Sequence, residues 1–120
     1  MFRPKALAAI LKKEVESEPS ITNIMLVTVE GGILAAAHYS EAEQTAAAVL
    51  ASVYTEYVAF SNQLLWVLTE VKGGRVAMCS LCGGAVVLCV HGDLEAPHGL
   101  LQQKMELLKN NLAEPLKNMY

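Results

Sequence analysis

The sequence predicts an α+β fold over residues 1–120 as a single domain, with a five-stranded antiparallel sheet and elements in the order α-β-β-α-β-β-β-α. Three observations predict it. Paired glycines separate β-branched runs, a pattern typical of hairpins. Helical periodicity marks both ends and the middle of the chain. Apolar residues make up 53% of the chain and charged residues 18%, so helices on both faces of the sheet are needed to cover the apolar runs.

The five strands are predicted on either side of glycine pairs at 31–32, 73–74 and 83–84. The runs cover residues 24–29, 33–38, 64–71, 75–81 and 85–91. Because the linking turns are short, consecutive runs are expected to pair antiparallel. The third run is apolar on both faces, which is typical of a central strand or of an edge strand that another chain covers.

The first and last helices each carry apolar residues at helical spacing on one face. The first is predicted from Pro4, a residue favoured at the first helical position, to about residue 15. The last is predicted from His98 onward. Pro115 is expected to end or kink it near Ala113, because proline cannot donate the backbone hydrogen bond that a helix interior requires.

The middle helix, predicted over residues 41–60, is the most informative element. Ser40 is a candidate N-cap, with Glu43 three residues later as in a capping box. Two apolar stripes lie about a quarter-turn apart and are wider together than one sheet face requires. The first stripe is Ala46, Val49, Leu50, Val53, Tyr57 and Phe60, and the second is Ala47, Ala51, Tyr54 and Val58.

Two interpretations of these stripes are open. The helix is deeply buried within one domain, or the first stripe packs on the sheet and the second contacts a partner. We favour the second interpretation, because the small side chains of Ala47 and Ala51 would let a partner helix approach closely.

Composition and motifs exclude several classes of function. A net charge of −3 and a pI near 5.6 argue against a nucleic-acid binder. The longest run without Asp, Glu, Lys or Arg, residues 76–92, is shorter than the roughly 20 residues that a membrane-spanning helix needs. There is no phosphate-binding loop and no nucleophile elbow, and the amphipathic N-terminal segment does not resemble a signal peptide. We therefore expect no enzyme activity, no cofactor and a reducing compartment.

Three cysteines and a histidine superficially resemble a zinc site. They are Cys79, Cys82, Cys89 and His91. In an extended strand Cys79 and Cys82 would point to opposite faces, which disfavours shared coordination. We predict that the three cysteines are packing residues and that the protein holds no metal, with a zinc or thiol protein as the alternative.

Several short segments resemble the roadblock family of small dimerising domains, and in particular its Ragulator-type subunits, which belong to a late-endosomal and lysosomal adaptor complex. The similarity covers nearly the whole chain, and its first and last segments are the more specific ones. The segments are Arg3-Pro4-Lys5-Ala6-Leu7, Val29-Glu30-Gly31-Gly32-Ile33-Leu34-Ala35, Gly74-Arg75-Val76-Ala77, Gly99-Leu100-Leu101 with Lys104, and Leu112-Ala113-Glu114-Pro115-Leu116.

This resemblance implies that two chains pair through the middle helix and the third strand into one continuous sheet. The middle helix would lie on one sheet face and the terminal helices on the other. The connection at 60–63 is shorter than the one associated with animal members, so contacts made by that loop do not carry over. The implied interface residues are Ala47, Ala51, Tyr54, Val58, Leu64, Trp66 and Leu68.

The resemblance also implies a function. It predicts a non-enzymatic scaffold that forms a heterodimer with a second roadblock subunit, or a homodimer when isolated. Within a larger adaptor complex the pair would dock Rag-type GTPases at the cytosolic face of the late endosome, lysosome or vacuole, in TOR pathway signalling. The membrane would be reached only through another subunit. The alternative is a roadblock module of another system, such as a dynein light chain or a direct small-GTPase regulator.

Overall fold

The structure, a computed structural model, describes residues 4–60, 67–71, 73–81 and 85–117, with side chains at 5–56, 68–70, 73–81, 85–112 and 116. The predicted fold class and element order are confirmed. The helices are α1 (Pro4–Glu16), α2 (Glu41–Phe60) and α3 (His98–Lys117). The strands are β1 (Ile21–Thr28), β2 (Ile33–Ala36), β3 (Val67–Val71), β4 (Gly74–Leu81) and β5 (Val86–Gly92).

The five strands form one antiparallel sheet in the order β2-β1-β5-β4-β3. The centre is the long-range pair of β1 and β5, in which Ile24 lies opposite Val90. Strands β2 and β3 are the two edges. Residues 64–66 of the predicted third strand lie outside the described residues, so β3 is described from Val67.

The sheet has an apolar core on each face because successive strand residues point to opposite sides. On β5, Leu88 packs in the core shared with α1 and α3, while the next residue, Cys89, packs in the core shared with α2. The placement of the middle helix opposite the two terminal helices is therefore as the family resemblance implied.

Strand β1 starts at Ile21, three residues earlier than predicted, because Asn23 is accommodated inside it. Asn23 is 3% exposed and lies where the pairing of β1 with β5 shifts register. Its Nδ2 donates to the backbone oxygen of His38 at 3.0 Å, and its Oδ1 accepts from the His38 N–H at 3.0 Å. These bonds satisfy the buried amide, which the sequence pattern alone presents as a turn residue.

Helix α3 runs to Lys117, so the expectation that it ends near Ala113 is wrong. Its last turns still carry core residues, since Leu112 and Leu116 are both fully buried in the core that the sheet shares with α1 and α3. Burial of a leucine stabilises the fold by about 2 kcal/mol, comparable to the cost of a proline near a helix end.

The turn between β1 and β2 requires glycine at position 31. Gly31 has a φ of 98°, a left-handed conformation that other residues adopt at a cost. A Cβ atom on Gly31 would lie 3.1 Å from the Cα atom of Ala48 in α2. The turn therefore fixes how closely α2 approaches this end of the sheet.

We expect Gly31→Ala to lower the free energy of unfolding by about 1–3 kcal/mol, from backbone strain and the contact with Ala48. Gly99→Ala is the matched control, because a Cβ atom there meets nothing within 4 Å and the residue lies in α3. That variant should be neutral or slightly stabilising, since Ala is the better helix former. Urea unfolding of the two variants measures the difference, and equal stabilities would contradict this account.

Candidate partner interface

Helix α2 begins with the predicted cap. The N–H of Glu43 donates to the Ser40 hydroxyl oxygen at 3.2 Å, and the N–H of Gln44 donates to the Ser40 carbonyl oxygen at 3.0 Å. The cap satisfies N–H groups that the first helical turn leaves without partners. It also fixes where α2 starts.

One face of α2 is buried against the protein's own sheet. It consists of Ala47, Leu50, Ala51 and Tyr54, none more than 4% exposed, which pack with Met25, Val27, Val76, Met78, Val87 and Cys89. Leu50 of the first predicted stripe packs on the sheet as expected, but three residues of the second stripe do so as well. Ala47, Ala51 and Tyr54, predicted to face a partner, face the sheet, and their small or flat side chains allow α2 to lie close to it.

The accessible apolar face of α2 is the flank next to this core. We call it the α2 stripe; it consists of Ala42, Ala46, Val49 and Val53. Val49, at its centre, is 57% exposed, and Ala46 and Val53 are partly exposed. Val49 was predicted to pack on the sheet, so this position too is corrected. An exposed valine with apolar neighbours at helical spacing on both sides is typical of a surface that another element covers.

The α2 stripe faces the half of the sheet that ends in β3. Beside it lies a cleft of about 410 Å³ between α2 and the sheet, lined by Ala42, Glu43, Ala46, Val49, Leu50, Val76 and His91. Val76 belongs to β4 and His91 to β5, whereas the opposite flank of α2 contacts the turn between β1 and β2 through Ala48. The stripe and the β3 edge therefore lie on the same side of α2.

Two polar groups converge on this otherwise apolar cleft. Glu43 Oε2 and His91 Nε2 are both buried and have no hydrogen-bond partner within the described part of the chain. Burial lowers the pKa of His91, and the Glu43 carboxylate acts more weakly in the opposite direction. The imidazole is therefore neutral near pH 7, and Glu43 is the one acidic side chain among the residues that line the cleft.

The positions of Glu43 and His91 in the sequence could have predicted that both side chains face this cleft. Glu43 lies seven residues before Leu50, which places it on the buried face of α2, although the prediction used it only as a capping residue. His91 lies two residues after Cys89 and shares its sheet face, although the prediction treated it only as a candidate zinc ligand. A charged residue at a core position of a helix is the more informative of the two signals.

The remaining residues of the predicted interface belong to the β3 region. Leu68 is partly buried and packs against the core of α1 and α3. Leu64 and Trp66 lie outside the described residues, as does the side chain of Val58. As an edge strand, β3 has one side of its backbone unpaired within the sheet, which is the arrangement that strand addition by another chain uses.

The cysteines that the structure describes lie in separate cores. Cys79 packs with α1 and α3, and Cys89 packs with α2, so they lie on opposite faces of the sheet. Within the described residues no group of three His, Cys, Asp or Glu side chains is placed to hold a metal ion. Burial raises the pKa of Cys79 to about 11, with a smaller opposing effect from Lys109, and burial also raises the pKa of Cys89.

We expect both thiols to resist iodoacetamide at pH 8 in the native protein, because alkylation requires an accessible thiolate. In guanidinium chloride, where the cores are lost, both should react at the rate of a free cysteine. Mass spectrometry of peptides after timed labelling measures each site separately. Rapid labelling of Cys89 in native protein would contradict its burial.

Among the described helices, none combines the length and the apolar character needed to cross a membrane.

The sheet order, the three helices and their distribution define the roadblock/LC7 fold, and solved structures of that fold match the chain closely in shape. The roadblock/LC7 domain of Streptomyces avermitilis has a TM-score of 0.80 at 16% identity, over 92% of this chain and 97% of that chain. MglB of Myxococcus xanthus has a TM-score of 0.80 at 15% identity, over 100% and 96%. Schizosaccharomyces pombe profilin is similar at a TM-score of 0.63 and 13% identity, over 89% and 96%. No protein-family model matches the chain.

Proposed function

We propose that this protein is a non-enzymatic scaffold that pairs with a second roadblock-type chain, and that the pair docks a small GTPase. The observation that carries the proposal is the α2 stripe, an exposed apolar surface centred on Val49 that faces the same half of the sheet as the β3 edge. In this fold, a helix face and a strand edge on one side of the molecule are surfaces that a second copy of the fold can cover together.

The physical argument for pairing concerns exposed apolar area. The chain is 53% apolar, and the half-exposed flank of α2 leaves part of that apolar surface in water. A partner strand added to β3 would supply backbone hydrogen bonds, and a partner helix would cover Val49. The structure titled "MglB with tetrameric arrangement", similar at a TM-score of 0.80 and 15% identity, is a protein of this fold in a tetramer.

We further propose a specific setting for the scaffold. The sequence segments quoted above favour a Ragulator-type subunit, which would form a heterodimer within a larger adaptor complex and help dock Rag-type GTPases. The location would be the cytosolic face of the late endosome, lysosome or vacuole, reached through another subunit, with a role in TOR pathway signalling. The second candidate, which the family resemblance of these segments also allows, is a roadblock module of another system, such as a dynein light chain or a direct small-GTPase regulator.

The test is identification of the chains that bind the tagged protein in its own cells. We expect a second roadblock-type chain in equal amount, and a small GTPase that binds the purified pair more tightly than either chain alone. Calorimetry with the GTPase in its GDP-bound and GTP-bound forms measures that binding. A protein that stays monomeric at micromolar concentration, captures no roadblock-type chain and binds no GTPase would contradict the proposal.

A further inference from the structure

The cleft beside α2 contains two buried polar atoms that have no hydrogen-bond partner among the described residues. Glu43 Oε2 is a carboxylate oxygen, which accepts hydrogen bonds, and it has no partner among the described residues. Nε2 of His91 is the second of these atoms, and in the neutral tautomer that carries its proton on Nδ1 it accepts a hydrogen bond. A buried polar group left unpaired costs about 1–3 kcal/mol, so an occupant that supplies donors to both atoms would be stabilised.

The rest of the lining specifies the shape of such an occupant. Apart from Glu43 and His91, the cleft is lined by the aliphatic side chains of Ala42, Ala46, Val49, Leu50 and Val76. An occupant must therefore present an apolar stem to the walls and a head with several N–H donors to the two polar atoms. Arginine and lysine side chains have this construction.

Charge supports a cationic head. The first turn of α2 carries two acidic residues, Glu41 and Glu43. Arg75, which is next to the cleft residue Val76 in β4, is used elsewhere, since it donates to the Ala96 carbonyl oxygen at 2.8 Å. Ala96 lies in the core of α1 and α3, so the Arg75 side chain is directed to the opposite face of the sheet from the cleft.

We propose that the cleft between α2 and strands β4 and β5 is a docking site for a basic side chain, arginine above all, on an otherwise apolar segment of a partner protein. The head binds Glu43 and His91, and the apolar residues beside it cover Val49. Arginine is favoured because its planar head presents five donors and can satisfy two acceptors at once. The inference rests on the proposed function in taking the occupant from a protein partner.

The test uses small probes that carry only the two features of the occupant. Butylguanidinium has the apolar stem and the cationic head, and butylurea has the same stem with a neutral head. Each is titrated into the full chain, and the ring signals of His91 and the methyl signals of Val49 are followed by NMR. We expect saturable binding of butylguanidinium about tenfold tighter than of butylurea, as a charge-assisted hydrogen bond in a buried site provides.

Two matched variants test whether Glu43 causes the preference for butylguanidinium over butylurea. Glu43→Gln keeps the shape of the side chain and should abolish the preference, whereas Glu41→Gln, an exposed residue in the same turn, should keep it within about twofold. Ala46→Leu retains every charge but fills the cleft, and it should weaken binding of both probes.

Three results would overturn the proposal. Equal affinity for the two probes, or binding of neither, would show that water alone satisfies Glu43 and His91. If Glu43→Gln and Glu41→Gln reduce the preference for butylguanidinium equally, the general charge at the start of α2 attracts the probe and the Glu43 side chain has no specific role. Affinity that rises on dilution of the protein would show that a second copy covers the cleft. Because the probes contain no protein, none of these results depends on whether the chain binds a GTPase, and the dilution series separates pairing from the properties of the cleft.

Discussion

Replacing Ala51 by glutamate is expected to destabilise the fold itself rather than merely to release a partner. Ala51 is 2% exposed and packs with Met78 and Cys89 in the core between α2 and the sheet. A glutamate there would overfill a close contact and bury a charge without a partner, at a cost of about 4 kcal/mol. That is a large part of the 5–15 kcal/mol by which a typical domain is stable. The melting temperature should fall by about 15 °C.

The control for this variant is Ser52→Glu. Ser52 is the next residue along α2 and is exposed, so a glutamate introduced there should change the free energy of unfolding by no more than about 0.5 kcal/mol. Thermal melts followed by circular dichroism compare the two. If Ala51→Glu melts like the parent chain but no longer binds its partner, Ala51 faces the partner and the orientation of α2 described above is wrong.

The limits of α2 could be predicted from the sequence because local signals determine them. Ser40 caps the first turn, and the helical periodicity is uninterrupted, so the predicted range and the observed Glu41–Phe60 coincide. The orientation of the helix about its axis could not be predicted in the same way. It depends on contacts with Val76 of β4 and Cys89 of β5, two strands that follow α2 much later in the sequence.

Ala47 and Ala51 show why the orientation of α2 was misjudged. Small residues allow close approach of any neighbour, and the sequence does not say whether that neighbour is a partner helix or the protein's own sheet. Ala47 and Ala51 approach the sheet. Val49 is exposed although it is the larger and more apolar side chain, so burial here follows the geometry of close packing rather than side-chain hydrophobicity alone.

In the strands, too, features set by local backbone conformation were predicted, and features set by long-range contacts were missed. Glycine pairs mark the turns because backbone conformation is a local property, as at Gly31. The start of β1 was missed because Asn23 is stabilised by His38, beyond the end of the neighbouring strand, and a single sequence does not show such a partner. The cleft was missed for the same reason, since Glu43 and His91 come from distant elements.

Val49→Glu is expected to leave the fold intact and to abolish pairing. Val49 is 57% exposed in the single chain, so a glutamate there stays in water and the melting temperature should change little. In a pair that covers the α2 stripe, the same charge would be buried among apolar side chains without a cation. A penalty of about 3 kcal/mol corresponds to more than a hundredfold loss of affinity for the partner. Light scattering after size exclusion, followed by titration with the identified partner, measures this loss.

Leu107→Glu is the matched control, because Leu107 is also an exposed apolar residue, 45% exposed, but lies on α3 at the other face of the sheet. It introduces the same charge without touching the α2 stripe, so pairing should be retained. If Leu107→Glu loses the partner while Val49→Glu keeps it, the terminal helices carry the contact. If both variants pair like the parent chain, neither helical face is covered, and the β3 edge alone joins the two chains.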